Sequence, residues 1–81
     1  MSDQSRKQRI HNLDVTVWVG KNGIEAVTEE LTDQLKEREF VKVKFHRSAL
    51  GGTDTETLAD DLADRVNASV VRTRGHTAVL E

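Results

Sequence analysis

Gly20 and Gly23 bracket Lys21 and Asn22 in this 81-residue chain. Glycine has no Cβ, so at both positions the backbone can come close to a bulky anion. Lys21 offers a charge-assisted hydrogen bond to phosphate. Asn22 either donates a further hydrogen bond or tolerates an unusual backbone angle. A helix expected directly after the loop would turn its free N–H groups and the positive end of its dipole toward the same place. The chemistry that fits is phosphate contact, and in so small a chain the phosphate would belong to a nucleic acid. Gly-x-x-Gly spacing alone is a weak signal, because it often marks only a turn. The context of the loop carries the functional reading.

Bond-breaking chemistry has little to work with. The histidines, His11, His46 and His76, are far apart, and cysteine is absent. No pair of these residues has a metal-ligand spacing. Acidic pairs such as Asp60-Asp61 fall on the solvated side of an expected helix. The chain is also short for a substrate pocket in a single copy. We therefore expect no enzyme, no metal and no cofactor.

The elements that must position the loop follow from periodicity. Residues 1–9 are polar and basic without an apolar period, which predicts a mobile arm, helical only near its end. Residues 14–19 alternate with period two and are rich in β-branched side chains, so they predict a strand. Val15, Val17 and Val19 should share one face, with Thr16 and Trp18 on the other. Ile24, Val27, Leu31 and Leu35 recur at helical steps and predict a helix over 24–38. Residues 40–46 alternate again, with Val41, Val43 and Phe45 on one face and Phe40, Lys42, Lys44 and His46 on the other.

Residues 48–52 read as a loop. Thr53 and Glu56 have capping-box spacing. Leu58, Leu62 and Val66 predict a helix over 54–66 that Asn67 can stop in a left-handed conformation. Strands follow at 69–74 and 76–80, joined at Gly75. The order β-α-β-α-β-β predicts one domain over 10–81: an α/β two-layer sandwich with a mixed four-stranded sheet. Helical crossovers imply parallel neighbours, and the last two strands should form an antiparallel hairpin.

Net charge is −2, but the charges are segregated. Acid concentrates on the two expected helices. Residues 40–52 hold Lys42, Lys44 and Arg47 and no acid. The field beside a site matters more to a phosphate than the total charge. With the helices on the valine side of the sheet, Lys42 and Lys44 would be exposed on its open side, and Arg72 and Arg74 share a parity that lets them join. The lysines also suit edge-strand protection. Trp18 can stack on a base or belong to a small hydrophobic patch. Convergence of these residues with the loop favours binding. The chain has no stretch of about eighteen apolar residues and no apolar secretory segment, so a cytoplasmic location is expected.

Val19-Gly20-Lys21-Asn22-Gly23-Ile24, an acidic amphipathic helix, Glu39-Phe40-Val41-Lys42-Val43-Lys44, and Gly75 before an apolar last strand together resemble the CRM domain, the YhbY-like RNA-binding family. The resemblance covers roughly residues 10–80, in an archaeal-like single-domain version. It implies a fold similar to the C-terminal domain of translation initiation factor three. It also implies RNA binding through the glycine loop, with Gly20, Lys21, Asn22 and Gly23 as contacts and Lys42 and Lys44 as the family's strand lysines. Ribosomal RNA and ribosome assembly are the implied setting. Members begin with a longer helix, which is shortened here around Ile10–Asp14, and often end in a tyrosine and a basic residue where this chain has Leu80-Glu81.

Two further readings compete. A protein-interaction module would use a sheet face carrying Trp18 and Phe40, or set the acidic helices against a basic ribosomal protein. A small hydrolase would hold a metal. The apolar final strand and the sheet edges leave self-association open.

Overall fold

The computed structural model describes residues 2–81, with side chains from Arg6 onward. The chain runs α1 (Ser2–His11), β1 (Val15–Val19), a 3₁₀ turn (Ile24–Val27), α2 (Thr28–Glu37), β2 (Val41–Phe45), a 3₁₀ turn (Arg47–Ala49), α3 (Thr55–Arg65), β3 (Val70–Arg74) and β4 (Thr77–Leu80). The four strands form one mixed sheet in the order β1-β2-β4-β3. This is the α/β architecture expected from the periodicity.

Val17, Val19, Val41, Val43, Phe45, Ala78 and Leu80 turn to one face of the sheet. There they pack against Ile24, Val27, Leu31, Ala59, Leu62 and Ala63 from the helical layer. Phe45, Leu31 and Leu62 are fully enclosed. Each contributes about 1.5–3 kcal/mol by leaving water.

Four expectations need correction. First, the sheet's second face is not open. α1 lies on it, and Ile10 packs with Phe40 and Val79, flanked by Leu13 and Val71. Arg6 and Arg9 lie over the Phe40 ring, 5.0 and 5.8 Å from its centroid. Ion pairs from Arg6 to Glu81 (2.7 Å) and from Arg9 to Glu39 (2.6 Å) add to the attachment. Being exposed, each is worth only about 0–1 kcal/mol, so the apolar contact dominates. The segment set apart as an arm is therefore helical from Ser2, and residue 1 lies outside the described residues. The same packing buries Phe40 and removes it from any docking surface.

Second, β2 and β3 are not neighbours. β1 and β2 pair in parallel, but β4 inserts between β2 and β3 and runs antiparallel to both. The final strand is thus central and buried on both faces, which removes it as a ground for self-association. The free edges are β1 and β3.

Third, the register of β1 slips between Val15 and Val17. Such an irregularity re-aims side chains. Val15 pairs with Lys42. The Thr16 hydroxyl donates to Gln34 Oε1 of α2 (2.6 Å), and Gln34 Nε2 returns a bond to the Thr16 carbonyl. The parity that grouped Val15 with Val17 and Val19 fails for that reason.

Fourth, α3 is capped by Asp54. Its Oδ1 accepts from the Thr57 N–H over 2.8 Å, in place of a Thr53–Glu56 box. Those bonds from Thr57 hold the Asp54 carboxyl below its ordinary value of 3.8. At the other end Asn67 is left-handed (φ 63), as its position predicts. The Ala68 N–H reaches the Ala63 carbonyl over 2.8 Å, closing a Schellman-type end.

Candidate nucleic-acid interface

Gly20, Lys21, Asn22 and Gly23 form a hydrogen-bonded turn at the end of β1. The Gly23 N–H donates to the Gly20 carbonyl over 3.0 Å, which leaves Lys21 and Asn22 exposed at the tip. The two glycines have different reasons to be glycine. Gly23 has φ 79 and ψ −178, a region open to little else. Gly20 has no positive φ, and a Cβ built on it would meet nothing within 4 Å. The fold makes no demand for glycine at position 20, and open space surrounds it.

The helix dipole does not serve the loop as expected. Ile24–Val27 is a 3₁₀ turn, and α2 begins only at Thr28, with Glu29 and Glu30 in its first turn. Those acids already meet the α2 dipole. Glu25 of the 3₁₀ turn pairs with Arg65 of α3 over 3.3 Å. Attraction for an anion at the loop therefore rests on its own amides and on Lys21.

The sheet aligns the other candidates with the loop. Trp18, Lys44, Thr77 and Arg74 are register partners in sequence across all four strands. Trp18 is 52% exposed, a large apolar side chain facing water. Lys44 is exposed beside it. Lys42 and Arg72 are half-buried one step nearer α1, where both pair with Val79. Arg74 is level with Lys44 but shares a cleft with Asp54 and Glu56, so acids temper its charge. The loop, Trp18 and Lys44 thus gather at one end of the sheet, while Lys42 and Arg72 extend the basic face toward α1.

His46, Arg47 and His76 were missed as members of this end. The His46 N–H donates to the Val19 carbonyl (2.8 Å), and the Phe45 N–H donates to the His76 carbonyl (2.7 Å). These bonds bring the residues that follow β2 and precede β4 next to the start of the glycine loop. All three side chains are exposed. Their separation along the chain hides the grouping, although Arg47 was visible in the acid-free stretch of residues 40–52. Among the described residues no group of three or more His, Asp or Glu could hold a metal ion. No helix there is long and apolar enough to cross a membrane.

A four-stranded mixed sheet and three helices, with an exposed glycine turn beside a basic strand end, define a small α/β module. Residues 3–80 match the CRS1 / YhbY (CRM) domain, and the chain belongs to that family. The match takes in α1, beyond the span of 10–80 that the motifs covered. Over 74 residues the chain is 42% identical to a probable RNA-binding protein of Methanocaldococcus jannaschii, with 91% of this chain covered. It spans about half of that protein's length, 55%.

Proposed function

We propose that this domain binds RNA by gripping the sugar-phosphate backbone at the Gly20–Gly23 turn, with Lys21 neutralising a phosphate and Trp18 and Lys44 extending the contact. One observation carries the reading. Gly20 is bare on its outer side for no reason internal to the fold, next to an exposed lysine at the turn's tip. Family membership and the name of the M. jannaschii relative support an RNA ligand. The RNA is ribosomal, met in the cytoplasm during assembly of the ribosome. The role is binding, and it calls on no cofactor, metal or covalent step.

The test is Lys21→Glu. The side chain is exposed, so melting should be unchanged. Affinity for ribosomal RNA should fall, and its dependence on salt should become shallower by about 0.7–0.9 for each phosphate no longer neutralised. Unchanged RNA affinity in the folded variant would remove the loop from the interface. A pull-down of ribosomal proteins that survives nuclease would point instead to docking through the acidic faces of α2 and α3.

A further inference from the structure

Packing α1 on the sheet leaves a groove of about 630 Å³ between that helix and β3. Ligand sites run to about 300–1,000 Å³, so its size suits a small molecule or one unit of a polymer. Its walls are largely apolar, with Ile10 from α1 and Val71 from β3 at the base. Lys7, His11 and Arg72 line it as well, and no acidic residue does. Arg6 also borders it but is turned onto Glu81 and the Phe40 ring. The irregular register between Val70 and Arg72 explains the shape, because Val71 and Arg72 both come to the α1 side of the edge strand. An apolar wall with cations and no acid complements a ligand that is flat and apolar at one end and anionic at the other.

We propose that the groove between α1 and β3 is a nucleotide subsite, with the base against the half-buried Val71 and the phosphate on Lys7 and Arg72. It lies on the same sheet face as Lys42, at the opposite end from the glycine turn. Its place on an RNA strand rests on the RNA-binding reading, while its affinity for a nucleotide does not. A strand held at Lys21 would cross Lys44 and Lys42 and reach the groove a few nucleotides further on. Lys42 and Arg72 are in register through Val79, two strand spacings or about 10 Å apart.

Amide chemical-shift mapping of the full chain tests this with adenosine monophosphate, adenosine and inorganic phosphate at equal concentration. The monophosphate should move the amides of Lys7–His11, Val71 and Arg72, and the other two should move them far less. Lys7→Glu, on an exposed side chain, should weaken that binding about tenfold, the loss of one charged hydrogen bond. Lys21→Glu should leave it unchanged, so failure of the groove and failure of the loop are read at different residues. The proposal is overturned if those amides stay still, if phosphate alone moves them equally, or if Lys7→Glu binds as the parent does.

Discussion

Lys44 stands directly across from Trp18 in the parallel pairing of β1 with β2. The pair sets an exposed ring beside an exposed ammonium, close along the chain to the bare backbone of Gly20. Trp18 is the only tryptophan and there is no tyrosine, so intrinsic fluorescence reports on this spot. RNA should quench it. Trp18→Ala should leave melting intact and weaken RNA binding by about 1–3 kcal/mol, the worth of one base stacked on an aromatic. Fluorescence titration of the parent and gel shift of the variant measure both. An unquenched Trp18 in a formed complex would place RNA elsewhere.

The two loop glycines should separate stability from binding. Gly20→Ala fits the backbone and meets open space, so unfolding free energy should stay within about 1 kcal/mol of the parent while RNA affinity falls. Gly23→Ala must hold a left-handed angle and should lose about 1–3 kcal/mol of stability. Urea denaturation beside RNA titration distinguishes them. A Gly20→Ala protein with parental affinity would show that nothing approaches that backbone.

Attachment of α1 rests on Ile10 more than on its ion pairs. Ile10→Ala should cost about 2–5 kcal/mol, and amide exchange in α1 should rise well above that of β2. Glu81→Gln, which breaks only the exposed pair with Arg6, should cost less than about 1 kcal/mol. Hydrogen exchange by mass spectrometry reads both variants. Equal protection of α1 in Ile10→Ala would contradict the seating of Ile10 against Phe40 and Val79.

The cap on α3 gives stability a pH dependence of known sign. Bonds from Thr57 depress the Asp54 carboxyl in the folded protein. Its contribution is therefore fully present above the ordinary value of 3.8 and is lost as pH falls through the depressed folded value. Asp54→Ala should melt below the parent at neutral pH, and the gap should narrow in acid. A gap that held constant down to strongly acid pH would mean that the carboxylate is not the cap.

Much of the fold was legible because local patterns encode it. Val41, Val43 and Phe45 alternate, Leu31 and Leu35 recur at helical steps, and Asn67 and Gly75 sit where left-handed backbone is observed. The glycine turn was legible for the same reason, since Gly23 can hold an angle that other residues resist. The cap shows the limit of local reading. Spacing pointed to Thr53 and Glu56, and the folded chain uses the neighbouring Asp54 carboxylate instead.

Residue order by itself determined the strands, α2 and α3, the glycine turn and the grouping of acids on those helices and bases on strands, because each depends on neighbours a few positions away. The tertiary structure alone decided that β4 enters between β2 and β3, that β1 slips its register, and that backbone bonds set His46 beside Val19 and His76 beside Phe45 at the loop end of the sheet. It also decided that α1, with Ile10 as its one deeply buried apolar side chain, closes over Phe40 and Val79. Such contacts join segments far apart in the chain. A single isoleucine in a polar helix has no periodic signature, and it acquires a partner only when the sheet has formed a surface to receive it.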